Sequence, residues 1–193
     1  MVNHKHKYIF IHIPKSGGNS IKAALGIRIF PGNHSKIHQK SAKYMDYFKF
    51  AFVRNPWDRL VSGYTYLKAG GISQLNPNKN ADNQLCKKIN TYFPTIGEFI
   101  RHSKWWNWKH FQSQYSYISI DGTPVMDFIG KVENLQQDFN TICDKIGIPQ
   151  QQLSHTNKSK HKHYTEYYDD ETREIVAEKY AKDIEYFGYK FGG

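Results

Sequence analysis

The feature that most restricts how this chain can fold is a pair of apolar runs that each pass through a tight turn straight into a helix. The first is YIFIHI, residues 8–13, followed by PKSGGNSIKAAL. Apart from His12 it is continuously apolar, as a parallel strand covered on both faces requires. Helix signals then run from Asn19 to Leu25, with Gly26 as the stop. The second run is FKFAFV, residues 48–53, followed by RNPWDRLVSGYTYL. Asn55 is a good N-cap there, Pro56 suits the first helical position, and Asp58 suits the positive end of the dipole. Strands alternating with helices imply an α/β fold of three layers, a central parallel sheet between helical layers. At 193 residues, with no internal repeat, one domain over 1–193 is expected.

The remaining segments read more plainly. Residues 26–40 form a polar loop rich in His and Lys, and SAKYMDYF begins a short helix before the second strand. Residues 69–83 have the composition of a surface loop. In TIGEFIRH, Thr95 and Glu98 make a capping box. YISIDGTPVMDFIGKV offers short strands around an Asp121-Gly122 turn. ENLQQDFNTICDKIG is an amphipathic helix with Leu135, Phe139, Ile142 and Ile146 on one face and Gly147 as its stop. A basic loop, SHTNKSKHKHY, precedes a last helix over about Asp169 to Phe187.

The two strand-to-helix turns carry the chemistry. Gly17 and Gly18 let the backbone curl closely around an anion, and the amides that follow sit at the positive end of a helix. Lys15 adds a mobile charge, and Ser16 and Ser20 add hydroxyl groups. The ATP-binding order G-x-x-x-x-G-K-[ST] is absent, because the lysine precedes the glycines. In the second turn Arg54 ends a strand where a helix begins, a position from which a guanidinium makes charge-assisted, often bidentate, phosphate contacts. Ser62 follows two helical turns later. Two such turns suggest a ligand with phosphates at two places. The competing readings are an ordinary tight connection at the glycines and an ion pair between Arg54 and Asp58.

IFIHIPKSGGNSI and FKFAFVRNPWDRLVSGYTYL resemble the two cofactor signatures of sulfotransferases that use 3′-phosphoadenosine 5′-phosphosulfate (PAPS). The nearest group is the carbohydrate 2-O-sulfotransferase-like branch and its bacterial relatives. FIGKVENLQQDFNTICDKIGI and YYDDETREIVAEKYAKDIEYFGYKF resemble that branch's later segments, so the likeness spans most of the chain. The resemblance implies a P-loop NTPase-like sulfotransferase fold. It also implies that Lys15, Ser16, Gly17, Gly18, Asn19 and Ser20 bind the 5′-phosphosulfate, with Lys15 on the oxygen bridging phosphate and sulfate. Arg54 and Ser62 would then bind the 3′-phosphate, and Lys158 and Ser159 would lie in a loop that closes over the nucleotide. At Asn19 the family's usual Thr is replaced, which leaves a polar side chain without the hydroxyl.

The resemblance further implies in-line displacement on sulfur by an acceptor hydroxyl, with adenosine 3′,5′-bisphosphate leaving and no metal required. Such chemistry needs a base for the hydroxyl proton and a cation for charge on the leaving oxygens. Lys15 suits the second role. Histidine has the intrinsic pKa for the first. In the family the base lies between the two signatures, where His34 and His38 are the candidates; His38 matches better because it lies just ahead of the SAKYM helix start. His12 reads as a buried structural histidine, and Glu133 either orients substrate or caps a helix. Trp105, Trp106 and Trp108 are candidates for a sugar-stacking platform or for the edge of a core.

Composition narrows the rivals. A formal charge of +10 points to an anionic partner, so a non-catalytic binder of acidic ligands is one alternative. The charge is spread along the chain and no nucleic-acid signature is present, which argues against RNA or DNA. A small-molecule kinase on the same scaffold is the other alternative, opposed by the missing G-K-[ST] order. Cys86 and Cys143 form no CxxC or Cys/His pattern, so neither a disulfide framework nor a zinc site is expected. With an N-terminal apolar run too short to span a membrane, a cytoplasmic protein acting on a hydroxyl-bearing acceptor, a saccharide among the candidates, is expected.

Overall fold

A computed structural model describes residues 1–27, 35–39, 44, 46–71, 80–102, 107–154 and 162–193, with the backbone alone at 80–82. The chain groups into two compact units, one of residues 1–54 with 113–158 and one of residues 55–112 with 159–193. The architecture is α/β with a mostly parallel central sheet.

In the first unit the sheet has four strands in the order β1-β2-β3-β6. They are β1 (Val2–Asn3), β2 (Tyr8–Ile11), β3 (Phe48–Val53) and β6 (Phe128–Lys131). β2, β3 and β6 are parallel, and β1 is an antiparallel edge. The register pairs Phe10 with Phe50 and Phe52 with Gly130. Gly130 is needed at that place, because a Cβ there would lie 2.5 Å from the Phe52 ring. Asp127 fixes the entry to β6, accepting from the Lys49 backbone amide at 2.7 Å and pairing with its ammonium at 2.9 Å.

One face of this sheet, formed by Tyr8, Phe10, Phe50 and Phe52, packs against Ile21 of α1 (Gly18–Ala24) and against α6 (Leu135–Ile146). In α6 the buried Phe139, Ile142, Cys143 and Ile146 follow helical spacing, and Gly147 ends the helix at φ 67°. Phe10 and Phe50 stack at 5.0 Å between ring centroids. On the opposite face Ile9, Ile11, Ala51 and Val53 are equally buried, which explains why both strands are apolar throughout. α5 (Tyr115–Ile118) leads into a hairpin of β4 (Ser119–Ile120) and β5 (Thr123–Pro124), turning at Asp121 and Gly122 as expected.

The second unit is helical. Its helices are α2 (Pro56–Lys68), α3 (Asn80–Tyr92), α4 (Ile96–Arg101), α7 (Asp170–Lys179) and α8 (Ala181–Phe187). Asn55 caps α2 by accepting from the Trp57 amide, and the Thr95–Glu98 capping box opens α4. Two expectations need correction. The segment read as a loop over 69–83 already contains the start of α3, whose Cys86, Ile89 and following Phe93 pack in the core of this unit. The helix read over Asp169 to Phe187 is two helices that break at Tyr180. The ring of Tyr180 is buried, its hydroxyl donates to the Phe111 carbonyl at 2.7 Å, and the Arg59 guanidinium lies 5.4 Å from its centroid. Tertiary anchoring there overrides local helix propensity. No helix among the described residues is long and apolar enough to cross a membrane.

Candidate active site

Parallel pairing of β2, β3 and β6 delivers three turns to one edge of the sheet, the edge at which these strands end. Open α/β sheets bind ligands outside the carboxyl ends of their strands. The first turn, residues 12–18, is unusual in its backbone. Lys15 adopts a left-handed conformation at φ 69° and Gly17 another at φ 71°, with α1 starting at Gly18. For a lysine that conformation costs about 1–2 kcal/mol, and such positions cluster where function needs a bent backbone.

His12 and the two glycines give the turn its shape. A Cβ at Gly18 would lie 1.9 Å from the His12 ring, so the buried imidazole occupies the space a side chain would need. His12 therefore serves the turn structurally, in keeping with its reading from sequence. At Gly17 a Cβ would come within 3.1 Å of Leu135 and 3.7 Å of Val132, so the third turn, after β6, closes on the first. The missing side chains leave backbone rather than Cβ atoms along the cradle. Ser16 and Ser20 are buried, Lys15 is half-buried, and Asn19 is exposed.

The second turn meets the first through Arg54. Its Nη1 donates to the Lys15 carbonyl at 3.5 Å, which places the guanidinium beside the lysine's own backbone. The guanidinium of the second turn thus lies against the backbone of the first.

Sequence reasoning missed Gln114, which joins the two turns. Its Oε1 accepts from the Arg54 amide at 2.9 Å and from the Ser16 hydroxyl at 3.3 Å, and its Nε2 donates to the Arg54 carbonyl at 2.8 Å. Gln114 is wholly buried and stands at the N-cap of α5, but its side chain makes no cap hydrogen bond. A glutamine at an N-cap, where Ser, Thr, Asp or Asn is usual, was the one signal available.

His38 lies in a 3-10 turn, Ile37–Gln39, with its side chain exposed. The turn is anchored by buried Ile37, by the Lys36 amide donating to Gln39 at 2.9 Å, and by packing against α5 and β4. The Lys36 ammonium sits 5.5 Å from the Tyr117 centroid on α5. Glu133 falls in the 3-10 turn Val132–Asn134; Asn134, not Glu133, is the N-cap of α6. Ser62 is buried on α2 in the second unit, and Trp108 packs against that unit's core. His34, Lys158, Ser159, Trp105 and Trp106 lie outside the described residues. Among the described residues no group of three His, Cys, Asp or Glu side chains is arranged to hold a metal ion.

Comparison with known proteins adds a family. A family model described as "Sulfotransferase family" matches residues 1–190. A protein of Archaeoglobus fulgidus described only as uncharacterized is 30% identical over 105 residues, covering 54% of this chain and 72% of that protein. Carbohydrate sulfotransferase 14 of Danio rerio is 25% identical, covering 78% of this chain and 48% of the relative. Human carbohydrate sulfotransferase 9 is 26% identical, covering 95% of this chain and 47% of the relative. The chain therefore spans about half the length of these two enzymes. No solved structure matches it.

Proposed function

The chain belongs to the sulfotransferase family and is carbohydrate-sulfotransferase-like, and from that premise we propose that it moves a sulfuryl group from PAPS to an acceptor hydroxyl. The observation that carries this reading is the contact of the Arg54 guanidinium with the Lys15 carbonyl at one sheet edge, beside the glycine cradle of Gly17 and Gly18. The cradle suits a phosphosulfate in particular. Gly17 and Gly18 allow close backbone approach, and Lys15 supplies charge without the G-K-[ST] that would place a magnesium-bound triphosphate.

In this reading Lys15, Ser16, Gly17, Gly18 and Ser20 hold the 5′-phosphosulfate and Arg54 the 3′-phosphate. Bound there, PAPS supplies the sulfuryl group and departs as adenosine 3′,5′-bisphosphate. Lys15 neutralises charge that develops on the leaving oxygen, an interaction stronger in the transition state than before it. His38 takes the acceptor's proton; its support is its place between the two signatures, exposed on a turn that is itself anchored. The names of the two relatives support a saccharide acceptor.

Isothermal titration tests the donor. The reading expects adenosine 3′,5′-bisphosphate to bind in the presence of EDTA and more tightly than ATP. Magnesium-dependent ATP binding, with no binding of the bisphosphate, would instead indicate a kinase.

A further inference from the structure

We propose that Gln114 is a positioning residue that holds the two phosphate-binding turns at a fixed separation; this rests on the donor reading above. The orientation of its amide follows from its partners. The Arg54 N–H can only donate and the Arg54 carbonyl can only accept, so Oε1 faces the first and Nε2 the second. Arg54 is thereby held on both sides of its backbone, at 2.9 and 2.8 Å, directly after the end of β3. The same oxygen reaches Ser16 in the first turn, a residue 98 positions away in sequence.

A wholly buried amide with each of these bonds in place is a rigid spacer. A shift of one turn against the other stretches the bond between Gln114 and the buried Ser16. For a ligand with phosphates at two ends, such a spacer converts two separate contacts into one pre-set pair. α5 extends the arrangement, because Tyr117 lies under Lys36 in the turn that carries His38.

The test compares a two-phosphate with a one-phosphate ligand on the full chain. Gln114→Met keeps the side-chain length and loses the amide. Titration with adenosine 3′,5′-bisphosphate should show affinity reduced on the order of tenfold or more, because displaced contacts no longer act together. Adenosine 5′-monophosphate, which needs the first turn alone, should lose several-fold less. Unchanged bisphosphate affinity, or equal losses for both ligands, would overturn the proposal. If the unaltered chain binds neither ligand, the donor reading falls and this inference with it. Should Gln114→Met fail to fold, hydrogen exchange on the unaltered chain decides. Saturating monophosphate should slow exchange at the Arg54 amide through the bridge, and an Arg54 amide indifferent to it would overturn the proposal.

Discussion

At the scale of single residues, Lys15 is where conformation and chemistry compete. A lysine at φ 69° gives up backbone stability that glycine at the same place would keep. Glycine carries its own entropic cost of roughly 0.5–1 kcal/mol, so Lys15→Gly should leave stability within about 1 kcal/mol of the parent. Turnover should fall by about a hundredfold or more, the usual loss when a group aimed at transition-state charge is removed. Thermal melts and initial rates measured together check both halves. A variant both destabilised and active would mean that Lys15 is there for the fold. His12 shows the opposite case, a histidine beside the site whose ring fills the space above Gly18.

At the scale of elements, the strands and helices that flank the two turns were legible because they are local. Apolar runs, paired glycines and an Asn-Pro helix start are each decided within a few residues, and β2, β3, α1 and α2 lie close to where they were expected. Gln114 was not legible, because its role depends on three hydrogen bonds to residues 60 and 98 positions away. The break at Tyr180 and the start of α3 were missed for the same reason: packing within the helical unit decides them, not composition. α7 carries a prediction of its own. Asp169 accepts from the Thr172 hydroxyl and amide and from Arg101, which lowers its carboxyl from the usual 3.8 to about 2. Because the folded value lies below the unfolded one, its contribution is present above about 3.8 and is lost as pH falls through about 2. The Tm difference between the parent and Asp169→Asn should therefore be constant near neutral pH and shrink over that acid window. A difference indifferent to pH would remove the charge from the account of this cap.

At the scale of the whole molecule, the family match covers nearly the full chain while the named carbohydrate sulfotransferases are about twice as long. The chain therefore spans about half the length of those relatives. Its turns rest on one unit, where the sheet edge, the αL lysine, Arg54 and Gln114 occur together. Residues 26–47 and 69–115 carry no readable acceptor pattern, so a panel of hydroxyl-bearing saccharides is the practical way to look for an acceptor.

The most direct measurement is transfer itself: the full chain incubated with sulfur-labelled PAPS and that panel in the presence of EDTA. The account predicts label on an acceptor hydroxyl, lost with Lys15→Ala, and lost with His38→Ala although that variant still binds adenosine 3′,5′-bisphosphate. Label on no acceptor, together with magnesium-dependent phosphoryl transfer from ATP to any of them, would contradict it.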